Sequence, residues 1–426
     1  MIRNLLRDIT DHVEDYIDRL KSRLEARLHP EGRRVQIIPY IGYATETEIQ
    51  MRARALYDNG LTPATDADKL WKNLLNAYRR VNSDEIPFAV VEVTVNGQTA
   101  KVVADEEGFF DVDLTLEKPL DAKRMLHDVH FKLVGLPADA NVAEGLPDVT
   151  AVGQVILPPK SAEYGIISDL DDTVIQTDAV NLVKMARNTF LQNSRTRLPF
   201  SGVAGFYRAL QNGTRQSYNP IYYVSSSPWN LYDLILDFFT VREIPIGTLF
   251  LRNFGFPEVY DEGHRTHKSD AVQKIMEAYP HLNFIMIGDS GQMDPEIYTE
   301  LAERYPGRVR VIYIRDVTIL ESRDQQVHQL AERLREKGID MLLVKDTIAA
   351  AEDALGRGLI LPEAMPDIRE ERATDDRPPE KLDEVVSEAI TEATDLVEEV
   401  LPTPPLDQPK GEVTGDTDTR DADSTR

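Results

Sequence analysis

The chain has 426 residues, contains no cysteine, and carries a formal net charge of −25 at pH 7. The lack of cysteine excludes disulfides, thiol catalysis and cysteine-ligated zinc, and no apolar run has the length needed to span a bilayer. The charged N-terminus lacks the apolar core of a signal peptide, and the acidic composition argues against general nucleic-acid binding, so we expect a cytoplasmic protein.

The first segment, residues 1–30, is predicted to form an amphipathic helix. Apolar side chains recur at helical spacing over residues 2–28, and the opposite face mixes basic and acidic residues. Packing on the rest of the chain, contact with another subunit or partner, and peripheral contact with a membrane all remain open. The mixed charges favour the first two, because surface-binding helices usually have a strongly cationic polar face.

Residues 31–158 are predicted to form an antiparallel β-sandwich with one inserted helix. About seven apolar-rich runs are separated by turn signals, of which Asn96-Gly97 is the strongest hairpin signal. The inserted helix covers Asp66–Arg80. His127 and His130 lie three residues apart on a predicted strand, so they should face opposite sides and have structural roles rather than bind a metal.

A change of pattern follows Pro158-Pro159-Lys160. Strands then alternate with helices over residues 159–360, which predicts an α/β, Rossmann-like domain with a parallel sheet. We place its strands at 164–168, 221–224, 284–287, 309–314 and 341–344.

The last segment, residues 361–426, is predicted to be an acidic and mostly disordered tail. From Glu363 onward it holds 20 acidic and 7 basic residues, a net charge of −13. Few apolar residues remain after Pro402, so this part cannot bury enough surface to fold. Its role as an acidic interaction segment is the alternative to a solvated tail.

The strongest chemical signal is a strand that ends in Asp169, Asp171, Asp172 and Thr173. Carboxylates buried at a strand end need a compensating cation, and phosphoryl transfer needs a nucleophile beside that cation. We assign Asp169 as nucleophile and Mg²⁺ ligand. Asp171 is the predicted general acid/base and a further metal ligand through its backbone carbonyl. Thr173 is assigned to substrate binding, and Asp172 to shaping the turn; an acidic turn without chemistry is the alternative.

Two further elements follow at later strand ends. Ser225 and Ser226 end an apolar strand and could hold phosphoryl oxygens, although serine there can simply cap a helix. Lys268, just before a predicted helix, could neutralise Asp169 and a phosphate, although an isolated lysine is usually solvated. A metal-binding role for His264 and His267 is the weaker interpretation of that histidine pair.

The fourth element comprises Asp289 and Asp294, after the strand 284–287. Asp289 is predicted to be the metal ligand from this side of the site. Asp294 precedes a proline and is predicted to cap the following helix, to orient a metal-bound water at the metal site, or to do both. Glycines in this run let the backbone approach a ligand.

Taken in order, these elements resemble the haloacid dehalogenase superfamily. Longer strings, at Asp169–Val174, Tyr223–Trp229, Gly288–Tyr298 and Pro199–Val203, resemble the actin-patch-type phosphatidate phosphatase family. The resemblance covers residues 160–320. It implies a Mg²⁺-dependent phosphatase of the haloacid dehalogenase fold, and phosphatidate is the substrate of characterised eukaryotic members.

The connections between the motifs are too short for a large capping domain, so the site should be open. A small helical insert near 181–197 carries Lys184, Arg187, Arg195 and Arg197, which could face anionic headgroups or solvent. We therefore expect hydrolysis of a phosphomonoester through an aspartyl-phosphate, with a membrane-presented lipid phosphate as substrate and no nucleic-acid partner. The alternatives are a phosphatase of soluble or nucleic-acid-terminal phosphates, and a scaffold without enzymatic activity.

Overall fold

The computed structural model of the chain describes residues 33–58, 85–138, 140, 142, 147–171, 173–174, 201–252, 262–318 and 320–375. All of them belong to one unit of the chain, residues 1–379. Several predicted features lie outside the described residues: the helix at 2–28, the inserted helix at 66–80, Asp172, the basic insert at 181–197, and the tail beyond 375. Among the described helices, none is both long and apolar enough to cross a membrane.

The N-terminal part is a sheet of eight strands, and its predicted antiparallel character is confirmed. The strands are β1 (Arg34–Pro39), β2 (Gly42–Ala44), β3 (Glu48–Asp58), β4 (Val90–Val95), β5 (Gln98–Val103), β6 (Phe109–Thr115), β7 (Leu126–Gly135) and β8 (Thr150–Ile156). They follow the order β1-β3-β2-β8-β7-β4-β5, and β6 pairs with β3 outside this order. Only β2 and β8 pair in parallel.

This sheet curls around its own core. The Gln98 side chain of β5 donates to the Thr115 carbonyl of β6 at 3.0 Å and accepts the Glu117 amide at 2.8 Å, so the two ends of the sheet meet. Apolar residues alternate into the enclosed core, as the sequence pattern predicts. His127 is buried and His130 is exposed on the opposite face of β7, which confirms their predicted placement.

The second sheet is wholly parallel, which confirms the predicted α/β domain. Its strands are β9 (Gly165–Asp169), β10 (Ile221–Pro228), β11 (Thr248–Arg252), β12 (Phe284–Asp289), β13 (Val309–Arg315) and β14 (Asp340–Val344). Their order is β11-β10-β9-β12-β13-β14, which places β9 between β10 and β12. The sequence pattern does not predict β11, because its run of five residues is too short for a periodicity to show.

Helices cover both faces of the parallel sheet. They are α1 (Val203–Asn212), α2 (Tyr232–Val241), α3 (Glu262–Ala278), α4 (Asp294–Arg304), α5 (Glu321–Arg335), α6 (Thr347–Gly356) and α7 (Ala364–Asp375). One core packs α1, α2, α6 and α7 against the sheet, and the other packs α3, α4 and α5 against the opposite face. The site residues therefore lie on strands that are buried on both sides.

Helix α7 corrects the predicted start of the acidic tail. Its side chains Met365 and Ile368 are buried in the core, and Arg372 pairs with Asp346 at 2.9 Å. Residues 364–375 thus belong to the folded domain, although the tail is predicted from residue 361. Met365 and Ile368, three residues apart, pack this helix on the core. The charged residues around them keep the apolar spacing from being recognised in the sequence.

Candidate active site

The predicted acids converge at the carboxyl edge of the parallel sheet. Asp169 is the last residue of β9 and Asp289 the last residue of the neighbouring strand β12, while Asp294 begins α4. All three side chains are fully buried. Adjacent parallel strands end at the same edge of a sheet, so residues 120 positions apart in the chain become neighbours here.

The three carboxylates form a cluster that could hold a metal ion. Asp169, Asp289 and Asp294 each offer one oxygen, and these oxygens lie within 4.8 Å of one another. One buried oxygen of Asp169, Oδ2, and one of Asp289, Oδ2, have no hydrogen-bond partner among the described residues. Unpartnered buried carboxylate oxygens are costly, and hard oxygen donors in this arrangement suit Mg²⁺. The residues present therefore fit a divalent cation.

Lys268 connects two members of the cluster. Its Nζ lies 2.6 Å from Asp169 Oδ1 and 2.8 Å from Asp294 Oδ1, and it donates to Gln292 Oε1 at 3.1 Å. The predicted neutralisation of Asp169 is therefore seen as a direct, buried ion pair. One expectation is corrected: Lys268 lies within α3 rather than before it, because that helix begins at Glu262.

Burial and neighbouring charges shift the pKa values of two carboxyl groups of the cluster. Burial raises the pKa of Asp169 well above its usual range, and Asp294 and Asp289 add to the rise although Lys268 opposes it. Burial, with the charge of Asp294, raises the pKa of Asp289 to about 7. A bound cation would reverse this effect, because it favours the ionised form of each carboxyl group.

Asp171 has a different environment from the cluster. Its carboxylate accepts from Ser225 Oγ at 2.5 Å and from Ser227 Oγ at 3.0 Å. Its backbone carbonyl accepts from Gln292 Nε2 at 3.3 Å. The side chain is thus held as a general acid/base would need to be, beside the cluster but outside it. The predicted metal contact through its carbonyl stays a prediction.

The serine run shows an alternation that the prediction missed. Successive strand residues point to opposite sides, so Ser225 and Ser227, not Ser226, reach Asp171. The buried hydroxyls of Ser226 and Thr173 have no hydrogen-bond partner among the described residues, which leaves them available to a ligand. Ser227 was absent from the predicted site, although a period of two along the strand would have paired it with Ser225.

Asp294 does not cap α4, so that interpretation is wrong. The residue at the N-cap is Met293, and Asp294 is the first residue of the helix. Its Oδ2 instead accepts the backbone N–H of Asp289 at 3.1 Å. A Cβ on Gly288 would lie 2.6 Å from that same oxygen, so the glycine makes room for Asp294 rather than for a ligand.

Supporting residues from other elements hold the loop between β12 and α4. Arg323 of α5 donates to the carbonyls of Ser290 and Gln292 at 2.7 and 2.6 Å, and it pairs with Glu296. Gln292 lies inside the predicted motif, but nothing near Arg323 in the sequence points to the site. Burial lowers the pKa of His267 to about 4, and this residue is not part of the acidic cluster. The His264 side chain lies outside the described residues.

Three comparisons with known proteins bear on this site. An uncharacterized protein from Schizosaccharomyces pombe is 31% identical over 154 residues, which are 36% of this chain and 25% of that protein. Phosphatidate phosphatase APP1 from Saccharomyces cerevisiae is 29% identical over 170 residues, 38% of this chain and 28% of that protein. The chain thus spans about a quarter of the length of these curated relatives.

A carbohydrate acetylesterase from Xanthomonas citri matches over 70% of this chain and 74% of its own length, with 11% identity. The TM-score of 0.22 is too low to support any conclusion.

The profile of one protein family matches residues 164–316, the stretch that carries every acid of the cluster together with Lys268 and the serine run. That family is described as phosphatidate phosphatase APP1, catalytic domain, and its match to these residues agrees with the resemblance seen in the sequence.

Proposed function

We propose that the chain is a Mg²⁺-dependent phosphatase that hydrolyses phosphatidate or a related lipid phosphate. The observation that carries this proposal is the buried cluster of Asp169, Asp289 and Asp294 with Lys268 paired to it. It lies within the segment that matches a phosphatidate phosphatase catalytic domain. The substrate follows from that family's name, and the cytoplasmic face of a membrane is the proposed place of action.

Asp169, Asp289 and Asp294 would hold the Mg²⁺ ion, with the carbonyl of Asp171 as a further oxygen donor. When bound, the ion offsets the negative charge of the phosphoryl group and lets it approach a carboxylate. Lys268 acts in the same direction, since its ammonium group already lies beside Asp169. The free hydroxyls of Thr173 and Ser226 are suited to donate to phosphoryl oxygens.

The covalent steps can be assigned to two residues. A carboxylate oxygen of Asp169 attacks phosphorus, the bond from phosphorus to the substrate oxygen breaks, and Asp171 gives its proton to the leaving alkoxide. Asp171 then takes a proton from a water molecule, whose oxygen attacks phosphorus and displaces Asp169. Inorganic phosphate leaves and both carboxyl groups return to their starting forms. Ser225 and Ser227 keep Asp171 in place through both steps.

The test compares substrates and variants under the same conditions. Phosphate release by the full chain is measured from phosphatidate in phosphatidylcholine vesicles, from soluble phosphomonoesters and from a 5′-phosphorylated oligonucleotide, with Mg²⁺ or with EDTA. The variants are Asp169→Asn and, as a matched control, Asp270→Asn, which changes an exposed acid on α3.

We expect release from the vesicles that requires Mg²⁺, is lost in Asp169→Asn and is retained in Asp270→Asn. Activity confined to the soluble esters or the oligonucleotide would replace the lipid substrate. Equal rates for wild type and Asp169→Asn would exclude the aspartyl mechanism, and no release from any substrate would favour the scaffold.

A further inference from the structure

We propose that Arg54, in β3 of the N-terminal sheet, and Tyr40, directly after β1, are positioning residues for Asp171 of the phosphatase domain. They hold the segment Trp229–Tyr232, which follows Pro228 and the serines that bind Asp171. The N-terminal sheet would then be a working part of the active site rather than a separate binding module. The catalytic consequence rests on the proposed function, whereas the structural coupling does not.

Arg54 joins the two sheets through a buried guanidinium group. It is 3% exposed, and its Nη1 donates to Asn230 Oδ1 at 2.8 Å. Its other nitrogens bind the Glu107 carbonyl and the Glu85 carboxylate, both at 2.9 Å, and the group lies over the Phe109 ring at 4.2 Å. Because each of its three nitrogens is hydrogen-bonded and the planar group packs on a ring, Arg54 can hold Asn230 in one place.

Tyr40 provides a second contact with the same segment. Its ring stacks on Trp229 with centroids 4.7 Å apart, and it packs on Tyr232 at 4.5 Å. The next residue, Ile41, donates its backbone N–H to the Tyr232 hydroxyl at 2.8 Å. Two ring contacts and one hydrogen bond thus hold Trp229 and Tyr232 against residues 40–41, which directly follow β1.

The serine run needs this support because its backbone pairing is interrupted. β10 pairs with β9 only as far as Val224, opposite Asp169. Its pairing with β11 shifts register between Val224 and Pro228. Ser225, Ser226 and Ser227 therefore have no paired residue on either neighbouring strand. Within the run, the Ser227 N–H donates to Ser225 Oγ at 2.9 Å, and after Pro228 the chain continues into the segment held by Arg54 and Tyr40.

The consequence for chemistry follows from the hydrogen bonds of Asp171. A shift of residues 229–232 would be passed to Ser227 and Ser225, which are the donors that orient the Asp171 carboxylate. Misplacing a catalytic group by about 1 Å can cost about a hundredfold in rate. Loss of the Arg54 contact should thus lower kcat more than it raises KM.

The test uses the full chain with three variants and one control. Arg54→Met removes the guanidinium bonds but keeps the apolar stem, and Asn230→Ala removes the side-chain amide whose oxygen accepts from Arg54. Asn230→Asp keeps an acceptor for Arg54 and serves as the rescue variant. Gln98→Ala is the matched control, because it removes two hydrogen bonds within the N-terminal sheet, far along the chain from Arg54.

The first measurement is amide hydrogen exchange, which does not depend on activity. We expect about tenfold faster exchange for residues 225–232 in Arg54→Met and Asn230→Ala, corresponding to a local loss of stability. Strands β12 and β13 should be unchanged, and Asn230→Asp and Gln98→Ala should resemble the wild type. If Arg54→Met does not fold, Asn230→Ala provides the same comparison.

The second measurement is the pH dependence of kcat on a soluble phosphomonoester. We expect kcat to fall about 10- to 100-fold with a displaced pH profile in both disrupting variants, and to recover in Asn230→Asp. Unchanged exchange at 225–232 would overturn the inference, whether or not the wild type is active. Faster exchange with an unchanged kcat and pH profile would also overturn it. If the wild type is inactive, the exchange result alone decides whether the structural coupling exists.

Discussion

The ammonium nitrogen of Lys268 lies 2.6 Å from Asp169 Oδ1, and both side chains are almost fully buried. The same nitrogen contacts Asp294, so the lysine balances part of the charge of the cluster. The carboxylates raise the pKa of Lys268 above its ordinary value even though burial opposes this, which keeps the lysine charged. A bound metal ion would offset the remaining negative charge of the cluster and that of a phosphoryl group.

Removing this lysine should destabilise the metal-free protein. Lys268→Met leaves Asp169 and Asp294 buried without their cation, and breaking a buried pair in this way typically costs about 3–5 kcal/mol. We expect that loss in urea unfolding with EDTA present. Lys274→Met, on the exposed side of the same helix, is the control. Equal stability of the two variants would show that the buried pair has no energetic role.

The metal-free protein should lose stability as the pH rises. The pKa of Asp289 is raised to about 7 in the folded chain, so between about pH 4 and pH 7 the folded state holds a proton that the unfolded state has released. The stability that this protonated group contributes is present at low pH and is lost as the pH rises through about 7. In EDTA, the free energy of unfolding should fall less over this pH range for Asp289→Asn than for the wild type. Parallel curves would contradict the assignment.

Binding of a divalent cation should stabilise the fold through the same carboxylates. A ligand at a hundred times its Kd adds about 2.7 kcal/mol of stability. We expect Mg²⁺ to raise the Tm of the wild type, and to do so much less in Asp289→Asn and Asp294→Asn. Glu336→Gln, an exposed change on the same domain, should keep the full response. The same increase in all four proteins would place the metal elsewhere.

Gly288 should not tolerate a side chain. A Cβ there would lie 2.6 Å from both the Cβ and the Oδ2 atom of Asp294, so Gly288→Ala must displace that carboxylate. We expect phosphatase activity to fall about a hundredfold and stability to drop by about 1–3 kcal/mol. Gly356→Ala is the control, since a Cβ at that position meets open space. Normal activity in Gly288→Ala would mean that Asp294 can move without consequence.

Much of the site could be predicted from local sequence. Asp169, Asp171, Ser225 and Asp289 each follow a short apolar run, and parallel strands bring their carboxyl ends to one edge. The acids and the lysine come together as the sequence predicts, but Lys268 lies within its helix rather than before it. Asp294 resembles a helix cap in the sequence, because proline is common at the first position of a helix and the residue before it is then the N-cap.

Other parts were decided by contacts between distant segments. Arg323 of α5 holds the loop after β12 through Gln292, which lies 31 residues earlier in the chain, and Arg54 reaches Asn230 from the other sheet. Ser227 joins Ser225 at Asp171 because the strand alternates, and α7 packs on the core through two buried residues, Met365 and Ile368. Contacts of this kind leave no local pattern in the sequence. Arg323 and Arg54 each look there like an ordinary surface residue.

The sequence by itself determined the chemistry: which carboxylates, hydroxyls and lysine are present and at which strand ends they stand. Only the tertiary structure decided how they are divided, with Asp169, Asp289 and Asp294 in one cluster whose oxygens lie within 4.8 Å of one another and Asp171 turned toward two serines. The physical reason is that strand ends follow from periodicity along the chain. The direction of each buried side chain follows instead from the partners that satisfy its charge, and those come from elsewhere in the fold.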